Sequence, residues 1–366
     1  MGWLESFREA DTETVPEELL RRPSPDRVPC TADDLDLPTA MDDTEPLVSV
    51  IVPTYEDSEY LPEALESIGA QTHPNLELVI VDSSGVPWVE QLADDREWVS
   101  YIHQPPQGLS VARNDGIETA RGEYVALLDA DDYWHPDKLT RQVEQLQSGG
   151  HFAYTACYRV RFDDQPIVTC HDLNPPSDDP VMDRLTDRIT VTPSTVLFRR
   201  SALPDRPFDD RLTSYEDVIF LVETFTQHQP AHIGDPMVLY RDRSGSLSDD
   251  RELMYQNAMT GIESLGEQFP ELASVLTRRQ ARSEQQLGVW YLKRDDHRAA
   301  RSHFRRCLRL DPTAYRSLVL AGVTLLPVGR QTVVRALQRL RTAVVYSLSN
   351  SRQSVRICER PRQHNA

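Results

Sequence analysis

"YVALLDADDYW", residues 124–134, is a short apolar run that ends on three carboxylates, Asp129, Asp131 and Asp132, and then on two aromatics. Carboxylates this close repel one another, so a buried strand that runs into them needs a counter-charge or a solvated turn. The flanking sequence supplies the fold. "LVSVIVPTY" (47–55) is a continuous β-branched run, the pattern of a strand buried on both faces of a parallel sheet. "EYLPEALESIGAQT" (59–72) follows with Leu61, Leu65 and Ile68 on one helical face and Pro62 in a first turn. "LELVIVDSSG" (76–85) reads as a second buried strand ending on Asp82, and "WVSYIHQ" (98–104) as a third. "LSVARNDGIETAR" (109–121) reads as a helix with Ser110 as its cap. "GEYVALLDADD" (122–132) is then a fourth strand. This alternation predicts an open α/β sheet, whose ligands bind beyond the carboxyl ends of the strands, where Asp82 and the Asp129 cluster fall.

Downstream, "HFAYTACYRVRF" (151–162) and "TPSTVLFRRSAL" (192–203) are strand-like, and "SYEDVIFLVETFTQH" (214–228) is helical. From about Glu252 the chain reads almost entirely helical. Residues 287–312 resemble a single tetratricopeptide repeat, and one copy is expected to pack on the body rather than build a solenoid. Three segments result: an acidic, largely irregular extension (1–46, with one short helix around Pro16–Arg22), an α/β domain (47–250), and a helical, basic region (251–366).

Charge is unevenly spread. The formal net charge is −19, yet from Arg278 onward there are 19 Lys and Arg against 5 Asp and Glu. The acidic remainder excludes nucleic acid as the main partner and fits solubility in high salt, as in a halophilic archaeon. The five cysteines are scattered without a Cys-x-x-Cys pair, so neither a zinc site nor a disulfide framework is indicated. No signal pattern opens the chain, and its longest apolar run falls short of the roughly 20 residues that span a bilayer. A cytoplasmic protein is expected. In residues 317–345 apolar stripes alternate with Arg335, Arg339 and Arg341, the pattern of an interfacial helix on the cytoplasmic membrane face or of a helical cap pairing with the acidic body.

Three stretches, "VSVIVPTYEDSEYLPEALESIGAQTHPNLELVIVDSSG", "GLSVARNDGIETARGEYVALLDADDYWHPDKL" and "SYEDVIFL", together resemble a family 2 glycosyltransferase of GT-A-type fold, a mixed sheet flanked by helices. The likeness is near-continuous over residues 47–140 and looser to about 250. It implies an inverting, hexosyltransferase-type enzyme that takes a sugar from a nucleotide donor, UDP-linked by default. The acceptor would be a lipid-phosphate-linked glycan, as in glycan or protein N-glycan assembly. Pro53, Thr54 and Tyr55 would line the nucleotide. Asp82 would face the base or ribose; the family usually has Asp-Asp there and this chain has Asp82-Ser83, so Ser83 or Asp82 takes that contact, or the nucleotide preference differs. Asp129-Ala130-Asp131 matches the DXD motif, with Asp131 a direct ligand of Mg²⁺ or Mn²⁺ and Asp129 its supporting or ribose-side partner. Asp217 matches the catalytic base, with Glu216 beside it. Ser194 and Arg243 belong to segments that approach acceptor and diphosphate. Trp134 either stacks on a sugar or packs under the loop. Arg113 either faces phosphate from a helix start or joins a capping network. His135 reads as a loop histidine rather than a metal ligand. The rival reading is a catalytically silent sugar-nucleotide-binding or scaffolding protein acting through its helical tail.

Overall fold

The computed structural model describes residues 44–55, 59–85, 87–161, 167–243 and 250–324, with Leu35, Leu37 and Asp42 besides. The short helix expected around Pro16–Arg22 and most of the 317–345 segment lie outside these residues. The described chain forms two compact units that divide between residues 244 and 245.

The first unit is built on one nine-stranded sheet. Its four N-terminal strands are β1 (Val48–Thr54), β2 (Leu76–Asp82), β3 (Val99–His103) and β4 (Tyr124–Leu127). They lie in the order β3-β2-β1-β4 and pair in parallel. Every residue of β1, β2 and β4 is buried, as their largely apolar runs require, and the polar Ser49 and Glu77 within them pair with each other. Helices α1 (Leu61–Gly69), α2 (Pro87–Asp95) and α3 (Leu109–Thr119) make the crossovers. Pro62 sits in the first turn of α1, where a missing N–H costs nothing. Gly108, not Ser110, caps α3; the Ser110 hydroxyl instead donates to the Leu212 carbonyl. Helix α3 lies tight on the sheet because Gly116 has no side chain, and a Cβ there would sit 2.3 Å from the Ile51 methyl.

The sheet turns mixed beyond β4. Its neighbour β8 (Val196–Arg199) is antiparallel to β4 and to β6 (Phe152–Arg161). Strand β9 (Ala231–Asp242) runs parallel to β6, while β5 (Tyr133–Trp134) and β7 (Ile167–His171) pair antiparallel with β9 and β6. Helices α4 (Lys138–Gln147), α5 (Pro180–Leu185) and α6 (Glu216–Gln227) complete the unit. The β5–β9 pairing matters most for the site. It lays the end of β9 beside the Asp129–Asp132 turn.

The second unit is helical: α7 (Arg251–Gln268), α8 (Ala273–Lys293), α9 (His297–Leu310) and α10 (Tyr315–Val323). Leu292, Ala300, Phe304 and Leu320 form its packed centre. Gly288 admits the Phe304 ring, to which a Cβ would approach within 2.7 Å. This explains the glycine of the repeat-like stretch. Among the described residues no helix is long and apolar enough to cross a membrane.

Candidate active site

The three carboxylates that end β4 have different surroundings. Asp132 is fully buried. Its Oδ2 accepts from the Ser194 hydroxyl at 2.5 Å and its Oδ1 from the Arg241 backbone N–H at 3.0 Å. It therefore pins the turn to β9 and to the short 3-10 turn Pro193–Thr195. Asp129 and Asp131 keep 22% and 20% of their side chains exposed, so these two can meet a ligand. Asp129 Oδ1 accepts from Arg113 Nη2 at 2.6 Å, and Asp131 Oδ2 from Arg243 Nε at 2.7 Å. Burial pushes the Asp131 carboxyl up against the opposing Arg243 charge. Burial also pushes Asp132 well up, and the charges of Asp131 and Asp129 add to it.

Arg113 joins this cluster to a second pair of carboxylates. Its guanidinium is 1% exposed and donates through Nη1 to Glu216 as well as through Nη2 to Asp129. Burial opposes its charge, but Asp129 and then Glu216 more than offset that and keep it protonated. One guanidinium serving two carboxylates leaves Glu216 under-compensated. Burial carries the Glu216 carboxyl up to about 7 against the pull of Arg113, with the Asp217 charge adding to the rise. Tyr215, in the left-handed region at φ 68°, turns the chain into α6 just before these residues. Asp217 is 24% exposed and accepts from Arg184 Nη2 at 3.2 Å through Oδ2. Asp129, Asp131 and Asp217 thus reach solvent, while Asp132 and Glu216 hold the frame.

At the neighbouring strand ends, Pro53 and Thr54 are buried and Tyr55 is half exposed. Asp82, expected to face the nucleotide, is fully enclosed: Oδ1 accepts from the Ser84 N–H at 2.7 Å and Oδ2 from the Tyr101 hydroxyl at 3.1 Å. The more open group is Ser83, whose N–H donates to the Thr54 carbonyl. Burial separates the alternatives at Trp134 and Arg113, and it turns Ser194 and Glu216 away from the acceptor side expected of them. Trp134 is fully buried, donates through Nε1 to the Ser194 carbonyl at 2.7 Å and carries the Lys138 ammonium over its ring, so it packs under the loop and stacks on no sugar. Ser194 is buried, and its Oγ also accepts from the Asp129 N–H, so it supports the carboxylates instead of meeting the acceptor. Glu216 is buried on Arg113 rather than exposed to an acceptor. Arg113 faces carboxylates, not open phosphate space. Ala130 is buried within the turn, and His135 holds the Asp137 N–H, as a loop histidine does.

Sequence reasoning missed Arg241. It is buried, donates to the Asp131 carbonyl at 3.1 Å and to Glu63 at 2.6 Å, and lies with Arg243 over the Tyr60 ring. The Arg-x-Arg spacing was its signal, since residues two apart on a strand share a face. Arg184, from α5, carried no such signal.

Among the described residues no three His, Cys, Asp or Glu side chains converge on a point, so a cage of protein ligands for a cation is absent from them. The donor set fits a different arrangement. Mg²⁺ or Mn²⁺ takes one or two carboxylate oxygens and completes its shell with phosphate oxygens and water. Two part-exposed carboxylates beside buried, charge-strained Asp132 match that demand.

The glycosyl transferase family 2 profile matches residues 49–206, the span that carries β1 to β4 and the carboxylate turn. This span is similar to a family 2 glycosyltransferase domain. A Bacillus subtilis (strain 168) glycosyltransferase, assigned by name to teichuronic acid biosynthesis, is 35% identical over 134 residues, which are 35% of this chain and 53% of that protein. An uncharacterized glycosyltransferase of Nostoc sp. is 41% identical over 108 residues, 28% of this chain and 33% of its own length. The chain thus spans about half or less of these curated relatives. Among solved structures, S. aureus TarS 1-349 in complex with UDP-GlcNAc superposes with a TM-score of 0.56 at 17% identity, over 80% of this chain and 91% of that one. The first unit therefore has the GT-A-type fold that its motifs imply.

Proposed function

We propose that the chain transfers a sugar from a nucleoside diphosphate donor to an acceptor hydroxyl with inversion at the anomeric carbon. The observation that carries this reading is the linkage Asp129–Arg113–Glu216, which sets the part-exposed strand-end carboxylates against the helix start that carries Asp217. The donor would lie beyond the ends of β1, β2 and β4, with Tyr55 and Ser83 at its nucleotide end. A UDP donor is the first choice, since a structural neighbour binds UDP-GlcNAc. Asp131 would hold a divalent cation, with Asp129 beside it. When bound, that cation supplies positive charge to the departing diphosphate. Arg243 holds Asp131 from the opposite side and brings a second cationic group to the same place. Asp217 would accept the acceptor's proton through Oδ1, while Arg184 steadies Oδ2. A lipid-phosphate-linked glycan is the proposed acceptor class, and a cytoplasmic, membrane-peripheral enzyme the proposed setting.

The test is a panel of nucleotide sugars with Mn²⁺, read as nucleoside diphosphate release. Asp131→Ala and Asp217→Asn should each lower turnover by at least about a hundredfold, the usual reach of one positioned acid–base or charge-stabilising group. Asp217→Asn should retain donor binding. Wild-type turnover in both variants would refute the site assignment, and donor binding without turnover by the wild-type chain would favour a silent sugar-nucleotide-binding protein.

A further inference from the structure

A second concentration of charge lies outside the transfer site, on α9. This helix carries Arg298, Arg301, Arg305, Arg306 and Arg309 and no carboxylate. Its buried residues are Ala300, Phe304 and Cys307. At 3.6 residues per turn, Arg298, Arg305 and Arg309 fall on the opposite, outer side. Four of the five arginines are exposed, while Arg301 is half-buried and donates to the Thr324 carbonyl at 3.1 Å. Among the described residues no carboxylate pairs with any of them. With Ser302 they line an open groove of about 570 Å³, to which no apolar side chain contributes among the described residues. Like charges three and four residues apart on a helix destabilise it, so the row is at its most stable with anions laid against it.

We propose that this arginine face docks on an anionic lipid surface. From Arg298 to Arg309 the row runs about 16 Å along the helix, enough to meet several phosphates lying in a plane. Guanidinium groups bind phosphate in two-pronged fashion, which suits arginine better than lysine for the task. The groove is open and its described lining is five arginines and a serine, unlike the enclosed and mostly apolar pocket that holds a small ligand. The next helix, α10, exposes Leu318 (63%) and Val319 (47%), two of the four large hydrophobics exposed among the described residues. Basic and apolar groups exposed together are the composition of an interfacial segment. A soluble phosphate polymer would satisfy the arginines and leave Leu318 and Val319 in water; a bilayer accommodates both. No residue of the transfer site enters this reading, so it stands or falls separately from the proposed activity.

The experiment is flotation of the full chain with vesicles of phosphatidylcholine alone, and of phosphatidylcholine with phosphatidylglycerol, in low and in molar salt. The wild-type chain is expected to float with the anionic vesicles in low salt and not with the neutral ones. The triple variant Arg298→Gln, Arg305→Gln, Arg309→Gln should partition about a hundredfold more weakly, from the usual share of each basic residue at an anionic surface. Arg→Lys changes at the same three sites should keep most of the binding. Molar salt should remove the arginine contribution and leave the remaining binding sensitive to Leu318→Ser and Val319→Ser. Circular dichroism reports whether the helices persist in each variant, as exposed side chains allow. Equal flotation of the wild-type chain and the Gln triple would overturn the proposal. So would absence of binding to anionic vesicles, or capture by sodium polyphosphate without capture by vesicles.

Discussion

Replacing Arg113 by methionine separates two accounts of this residue. If it contacts donor phosphate, its loss raises KM and leaves the fold alone. If it clamps Asp129 and Glu216, its loss strands two carboxylates beside a third. The structure favours a large effect. The guanidinium is 1% exposed, its bond to Asp129 is 2.6 Å, and the Glu216 side chain is 5% exposed. With charge centres about 4 Å apart and an effective dielectric of about 20, each gross attraction is about 4 kcal/mol. Desolvation cancels much of that in the intact cluster, but removing one partner leaves the burial cost uncompensated, about 3–5 kcal/mol. For a unit of this size that is a fall in Tm of about 6–20 °C. Turnover should fall about a hundredfold, because Asp129 and the start of α6 lose their common tether. Thermal denaturation and donor turnover read the two effects. Adding Glu216→Gln to the methionine variant removes one stranded charge and should restore about 1–2 kcal/mol, since residues in contact are coupled. Arg113→Met within about 1 kcal/mol of wild type, with KM raised and kcat unchanged, would refute the clamp.

Glu216, with its carboxyl raised to about 7, gives a pH signature. The folded state keeps a proton that the unfolded chain releases near 4.5, so this group's stability is fully present below 4.5 and is lost as pH rises to about 7. The loss is about 3 kcal/mol; denaturant titration across that range should show it, and Glu216→Gln should flatten the slope. Ser194→Ala removes the donor to Asp132 and the acceptor for the Asp129 N–H, and should cost about 1–3 kcal/mol by the same assay. Gly288→Ala drives a methyl to 2.7 Å from the Phe304 ring and should cost the helical unit about 1–3 kcal/mol, seen as earlier loss of protection in hydrogen exchange over α8 and α9. Protection unchanged from wild type there would mean that the ring shifts freely.

The parallel half of the sheet was legible because β1, β2 and β4 are buried on both faces and their sequences show it without interruption. Strand β9 was not: Gly234 and Pro236 break its pattern, and its pairing with β6 shifts register around Ala156. Strand β5 is two residues long and exists only through its pairing with β9. The same division holds at the site. Asp129, Asp131 and Asp217 could be marked from local strings, because a strand end and a helix start are local features. Their partners could not. Arg113 and Glu216 lie 103 residues apart and Asp132 and Ser194 lie 62 apart, and only the closed sheet brings them together. Trp134 and Ser194 looked ligand-facing because their neighbours in the chain are. Burial decided otherwise.

The turn after β4 tolerates three carboxylates because each is answered from a different direction. Asp132 is answered from inside, by a hydroxyl and a backbone N–H that carry no net charge. Asp129 is answered from α3 by Arg113, and Asp131 by Arg243, the residue that follows β9. Arg241 ties its own element to the Asp131 carbonyl and to Glu63 of α1. The compensation is incomplete where it matters. Burial and its neighbours push Asp132 toward its neutral form, and Arg113 is divided between Asp129 and Glu216. The residual negative field therefore points at the opening where Asp129 and Asp131 meet solvent. Low-dielectric surroundings amplify that field for any cation entering there. A cluster fully neutralised by its own arginines would have no use for a divalent ion. In the function proposed above, a cluster whose Arg113 is shared between two carboxylates would take one, together with the phosphates the ion brings.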